Sequence, residues 1–265
     1  MTKNELLNRF AADPDERVLL ARVLDKLEFC RGRNVPAHTV FLSTGQRAAA
    51  EAVINASGRP AHLFFGGYEG AERTVGAFLP DWMEPGDWTG AEDCPLTAVT
   101  VTCPQDAGLT HRDFLGSILG LGITREKVGD LLVSGGTCQV VLLREVERVL
   151  LTQLDQVGRQ KCKVAPCDLA ALTPPEKTVR LIRDTVATLR LDAVAASGFS
   201  TSRSKMGDMI SSKKVQLNGR ECDKPDRPVA QGDSLVCRGL GKCVLKEVSG
   251  TSKKGRIMIV LERYV

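Results

Sequence analysis

At 265 residues, 43% of them hydrophobic and 26% charged, the chain has ordinary globular composition and length enough for two or three domains. No run of about 18 uncharged apolar residues occurs, which excludes a membrane-spanning helix, and the start Met1-Thr2-Lys3-Asn4-Glu5 carries no apolar signal core, so a cytoplasmic location is expected. The net charge of +4 conceals an asymmetry: residues 181–265 hold 16 Lys+Arg against 9 Asp+Glu, or +7, whereas residues 1–180 hold 20 against 23, or −3.

From the amino end, Leu6, Leu7 and Phe10, then Val18, Leu19, Ala21, Leu24 and Leu27, recur at helical spacing. Pro14 after Asp13 suits the first turn of the second helix, where its missing N–H is not needed. Ser43 or Thr44 can cap a third helix carrying Ala48, Ala52 and Val53, which Gly58 and Pro60 stop. Residues 1–60 are therefore expected as a helical region whose small apolar faces pack on one another.

Over residues 61–172 the character changes. Segments 62–65, 74–79 and 96–101 have strand composition, separated by Gly66-Gly67, Pro80 and the turn Pro85-Gly86-Asp87. Thr110 with Asp113 three residues later reads as a capping box ahead of a helix striped by Phe114, Leu115, Ile118 and Leu119. Segments 131–133 and 138–143 read as a hairpin about Gly135-Gly136, followed by a helix through Val146, Val149, Leu150 and Leu154 and a further strand at 161–165. Mixed strands with two helices predict a compact α+β sandwich. The glycines make no nucleotide cradle, since Gly-x-Gly-x-x-Gly before a helix and the Gly-Lys-Ser/Thr ending of a P-loop are both missing. The nine scattered cysteines form no Cys-x-x-Cys, so no metal or cofactor is expected, and most read as buried thiols.

Thr173-Pro174-Pro175-Glu176-Lys177 reads as an extended connector, spanning 173–180, to a last domain at 181–265. There Leu189, Leu191, Val194 and Ala195 suit a short helix stopped by Gly198 at φ > 0, and Ser200 or Thr201 can cap a second helix that buries Met206, Met209 and Ile210. Val215-Gln216-Leu217 alternates as a half-buried strand, and Asn218-Gly219 is a hairpin signal because both residues tolerate φ > 0. Arg203, Lys205, Lys213 and Lys214 then gather beside one helix pair, a pattern suited to neutralising backbone phosphates. Segments 243–245 and 257–261 flank a basic tip and read as a closing hairpin.

Arg190-Leu191-Asp192, Gly198, Ser202-Arg203-Ser204-Lys205, Ile210, Val215, Asn218-Gly219, Val229 and Gly232-Asp233 resemble the S4 RNA-binding domain over about 181–241. The resemblance implies binding of structured RNA through the second helix and the loop after it; on that face Arg203, Lys205, Lys213 and Lys214 are expected to contact phosphates, with Ser202 and Asn218 as polar contacts and Arg190 or Arg220 at the rim. One departure is Lys213, where that family usually carries Gly before the strand. Arg190-Leu191-Asp192 also resembles the nucleophile motif of pseudouridine synthases, but Ala193-Val194-Ala195 stands where they have Thr-x-Gly, so Asp192 is expected to cap or brace its helix.

Gly66-Gly67-Tyr68-Glu69-Gly70-Ala71-Glu72-Arg73, residues 109–116 and residues 119–130 extend the resemblance over nearly the whole chain, to the YlmH-type bacterial proteins. That family implies an α+β chain with a helical N-terminal region, a central α/β-plait domain expected to bind RNA, and the S4 domain. It further implies association with the large ribosomal subunit carrying a stalled peptidyl-tRNA, hence quality control, and a link to cell division; the function expected from this is a non-catalytic factor that binds ribosomal and transfer RNA there. A monomer is expected. His111, Arg112, Arg125 and Lys127, near helix starts, are secondary RNA candidates, while Glu69, Glu72 and Arg73 read as fixing a turn. The alternatives are an RNA-modifying enzyme with a centre around His111, Asp113 or Asp130, and a scaffold for division proteins.

Overall fold

The computed structural model describes residues 1–91, 94–104, 108–174, 179–252 and 254–264. The chain divides into two units, Met1–Pro175 and Glu176–Val265. In the first, α1 (Lys3–Phe10) starts at a capping box in which Thr2 accepts from the Glu5 N–H and Glu5 accepts from the Thr2 N–H. α2 (Pro14–Arg33) follows its cap Asp13, and Asn34, in the left-handed region at φ 54°, ends it.

The expectation that residues 1–60 are wholly helical needs a correction. β1 (Ala37–Leu42) lies between α2 and α3 (Thr44–Ala56), and Ser43 rather than Thr44 caps α3. With β2 (His62–Phe65) and β3 (Thr74–Phe78) it forms an antiparallel sheet of order β1-β3-β2, which therefore spans residue 60. The helical stripe expected from sequence packs on this sheet as well as on itself, with Leu20, Leu24, Leu27, Val53 and Ile54 against Ala37, Leu42 and Phe78.

A short α4 (Pro85–Gly90) leads to the second sheet. The order of elements is β4 (Leu96–Thr102), α5 (His111–Gly120), β5 (Val128–Ser134), β6 (Thr137–Leu143), α6 (Glu147–Gln153), a two-stranded ribbon β7 (Gln156–Val157) and β8 (Gln160–Lys161), and β9 (Lys163–Cys167). The sheet is antiparallel throughout in the order β5-β6-β4-β9. A helix after the first strand and another before the last make this the expected α/β plait. Side chains alternate across its strands. Val99, Val101, Cys138, Val140 and Leu142 face Phe114, Ile118 and Leu150 of the helices, while Leu96, Val141 and Leu143 face Phe41, Val75 and Ala77 of the first sheet. The unit is thus layered as helices, sheet, sheet, helices. Each fully buried Phe114 or Ile118 contributes about 1.5–3 kcal/mol of apolar burial.

In the second unit β10 (Val179–Val186) precedes α7 (Leu191–Gly198), α8 (Arg203–Ser211), β11 (Val215–Leu217), β12 (Arg220–Cys222), β13 (Ser234–Cys237), β14 (Gly241–Thr251) and β15 (Ile257–Tyr264). The six antiparallel strands run in the order β10-β15-β14-β13-β11-β12. The helices cover one face, burying Leu191, Val194, Ala195, Met206 and Ile210 against Leu235, Cys243, Leu245, Ile259 and Leu261. Of the connector expected at 173–180, residues 175–178 lie outside the described residues, and Val179 and Arg180 already belong to β10. The closing hairpin is β14 with β15; Lys253 of its tip lies outside the described residues.

Two local expectations in α7 and α8 are corrected. Gly198 does not turn the chain at φ > 0; Ser200 does, at φ 52°. Gly198 instead lets α7 sit close on the sheet, since a Cβ there would lie 2.7 Å from Cys243 Sγ. With Ser200 occupied in that turn, the cap of α8 is Ser202, whose Oγ accepts from the Lys205 N–H at 3.2 Å. Six of the nine cysteines are buried, and burial pushes the Cys138 and Cys243 thiols up to about 12. Among the described residues no group of three or more His, Cys, Asp or Glu could hold a metal ion, and no helix is long and apolar enough to cross a membrane.

Candidate nucleic-acid interface

The cation cluster is built on the α7–α8 pair. Met206 and Ile210 bury one side of α8, so Arg203 and Lys205, off that period, stay exposed. α8 ends in a Schellman motif: the Lys213 N–H donates to Ile210 O at 2.8 Å and the Lys214 N–H to Met209 O at 3.0 Å. That geometry puts Lys213 at φ 56°, so the lysine found where glycine is usual occupies the position that favours glycine. Lys213 and Lys214 thereby emerge at the end of α8, both exposed, and with Lys205 they have no ion-pair partner among the described residues.

The conformation of Lys213 gives a testable contrast. Lys213→Gly is expected to stabilise the second unit by about 0.5–1 kcal/mol, the left-handed penalty outweighing the greater freedom of an unfolded glycine. The same change removes a cation and should weaken RNA binding. Chemical denaturation of the full chain beside an RNA titration checks both signs.

Arg190 and Arg203 are organised differently. Asp192, 8% exposed, accepts from Arg190 Nε at 3.2 Å and from Arg203 Nη2 at 2.7 Å. Burial alone would raise the Asp192 carboxyl, but hydrogen bonds and charge from Arg203 and Arg190 outweigh it and hold the group below the usual carboxylate range. Asp192 is therefore an ionised brace, as the sequence suggests, and it aligns two guanidinium groups while leaving the trio a net positive charge. The arginine side chains stay 43% and 54% exposed, so donors remain for a ligand.

Not every expected contact faces outward. Ser202 Oγ caps α8. The Asn218 amide is used within the hairpin, donating to Asp233 Oδ1 at 2.8 Å and accepting from the Ser234 N–H at 2.9 Å, while φ of 52° and 77° at Asn218 and Gly219 confirms the turn. Arg220 is exposed on β12.

In the first unit, His111 and Arg112 lie exposed at the start of α5, behind the predicted capping box of Thr110 and Asp113. Arg125 is turned inward, its Nη1 donating to Val128 O and Gly129 O, and Lys127 pairs with Glu145 at 3.3 Å. Asp130 accepts from Tyr68 Oη at 2.8 Å and from the N–H groups of Glu72 and Arg73 at 2.7 and 3.1 Å. Arg73 in turn donates to the carbonyls of Val128, Phe41 and Arg125. Burial, then the charge of Arg125, lowers the Arg73 pKa to about 10, with Asp130 opposing. The turn expected to be fixed by Glu69, Glu72 and Arg73 is held by Asp130, which accepts from the backbone N–H groups of Glu72 and Arg73; this partner lies 57 residues from Arg73, and no local pattern reveals it. Asp113 and Asp130 each hold a separate piece of backbone, and no hydrogen bond or ion pair among the described residues joins His111, Asp113 and Asp130 to one another.

A family model described as "Putative RNA-binding domain in YlmH" matches residues 91–171, and the S4 domain model matches residues 189–235. "Ribosome-associated protein quality control protein P2" of Bacillus subtilis (strain 168) is 30% identical over 250 residues, covering 94% of this chain and 95% of that one. The chain belongs to the YlmH family. "Cell division protein ylmH from Streptococcus pneumoniae", a solved structure, superposes with a TM-score of 0.51 at 18% identity over 60% of this chain and 94% of that one, a likeness of fold. The YlmH RNA-binding-domain match falls on the plait, β4 to β9, and the S4 match runs from α7 into β13, the region where the exposed cations of the second unit gather.

Proposed function

We propose that this YlmH-family chain is a non-catalytic factor that grips ribosomal and transfer RNA on the large ribosomal subunit, in the quality control of stalled peptidyl-tRNA. The observation that carries the reading is the exposed set Lys205, Lys213 and Lys214 around the Asp192-braced pair Arg190 and Arg203. Three flexible ammonium groups supply charge that follows a phosphate backbone, and two aligned guanidinium groups supply direction. Arg220 is proposed as a rim contact, and His111 and Arg112 of the first unit as separate, secondary RNA contacts. Arg125, Ser202 and Asn218 support the fold instead. The name of the Bacillus subtilis relative supports the ribosomal setting, and with it the cytoplasmic location; that the factor acts as a monomer is part of the proposal.

Cosedimentation with purified bacterial large subunits over a salt series tests it. Arg203→Ala with Lys205→Ala is expected to weaken binding roughly tenfold and to reduce the log–log salt slope by about 1.5–2, because two phosphate contacts no longer release counterions. Unchanged affinity and slope would reject the assignment.

A further inference from the structure

The second unit has a cleft of about 460 Å³ between edge strand β10 and the turn joining α7 to α8. Among the described residues, Arg183, Arg203, Arg256 and Asp184 form its charged lining. We infer that this cleft is a second RNA contact, holding backbone phosphates through Arg183, Arg203 and Arg256. The inference rests on the RNA-binding reading and extends it to residues outside the S4 match at 189–235.

Arg256 is oriented before any ligand arrives. Its Nε donates to Thr185 Oγ1 at 3.0 Å and its Nη2 to Thr185 O at 2.5 Å, which fixes the guanidinium on β10 and leaves further N–H donors. Asp184, the cleft's carboxylate, is already engaged: Oδ2 accepts from Ser197 Oγ at 2.7 Å and Oδ1 from the Thr185 N–H at 2.7 Å. Among the described residues it makes no ion pair with any of the three arginines, and the Arg183 side chain has no hydrogen-bond or ion-pair partner.

Arg203 joins the two sites. It lines the cleft while bonded to Asp192, so the cleft is continuous with the face formed by Arg190, Arg203 and Lys205. Among the described residues no aromatic side chain lines the cleft, and the hydroxyl-bearing Thr185, Ser197, Ser200 and Thr201 do. Such a lining offers little to a stacked base and much to phosphate oxygens. A strand held along α8 would thus pass its next phosphates into the cleft.

The test uses the full chain and purified large ribosomal subunits. Arg183→Glu breaks no side-chain hydrogen bond among the described residues and is expected to weaken binding at least fivefold. Arg183→Ala with Arg256→Ala should weaken it by a similar factor and lower the salt slope by about 1–2. Unchanged affinity in both variants, or a loss at unchanged slope, overturns the cleft. If Arg203→Ala with Lys205→Ala still weakens binding in that case, the RNA-binding reading stands without it; if that variant also binds normally, both fall.

Discussion

Asp130→Ala is expected to destabilise the first unit by about 3 kcal/mol. The carboxylate accepts from one phenol and two backbone N–H groups, and leaving such donors without an acceptor costs about 1–3 kcal/mol each when they are buried. Asp130 is only half-buried, so water recovers part of that loss. A second contribution is electrostatic: Asp130 is the countercharge that opposes the lowering of the Arg73 and Arg125 pKa values, and its loss leaves the burial and repulsion of those guanidiniums less compensated. Asp130→Asn should cost nearly as much, because its amide group turns a donor toward donors. Both tryptophans lie in this unit, and Trp88 is buried in the core between its two sheets, so fluorescence follows its unfolding directly. With a urea dependence of about 2 kcal/mol per molar, the midpoint should fall by about 1.5 M. A catalytic Asp130 would behave in the opposite way, leaving stability intact while abolishing a reaction. Loss of stability with unaltered RNA affinity of the folded protein is the outcome that assigns it to architecture.

What could be read from sequence was local and periodic. Met206 and Ile210 at helical spacing, Asn218-Gly219 at a two-residue turn, the Thr110 and Asp113 box and the alternating strands of the plait each carry their signal within a few residues. The charge asymmetry was equally legible, since it needs only counting. β1 was hidden because Ala37, Thr39, Phe41 and Leu42 are all buried between two layers, which removes the polar alternation that marks a half-exposed strand. β10 was hidden for the opposite reason: on an edge strand Val179 and Leu181 remain 39% and 45% exposed and charged residues occupy both faces, so it resembles a connector. The partners that shape the sites are distant in sequence. Arg203 meets Asp192 across 11 residues and Arg256 meets Thr185 across 71, and composition cannot announce either pairing.

Gly198 shows how one residue admits two readings, and it carries the second large prediction. A glycine near the end of a helix serves either a left-handed turn or a close approach, and here the closeness of Cys243 Sγ decides for the approach. Gly198→Val should therefore cost about 2–3 kcal/mol through overpacking, with its Cβ also meeting Leu261 Cδ1 at 3.5 Å. Gly198→Ala brings the same Cβ but gains helix propensity, so it should cost about 1 kcal/mol. Because the nearest obstacle is a single sulfur, adding Cys243→Ala to Gly198→Ala should recover most of that loss, giving a coupling of opposite sign to the two single effects. Hydrogen exchange of the α7 amides reads the change where it occurs. The consequence reaches the RNA face through geometry alone: α7 carries Asp192 in its first turn, and a helix lifted from the sheet withdraws the brace from Arg203. Gly198→Val should accordingly weaken RNA binding although no cation is removed, at an almost unchanged salt slope. Faster exchange of α7 with unaltered RNA affinity would mean that the arginines do not need Asp192 to hold their phosphates.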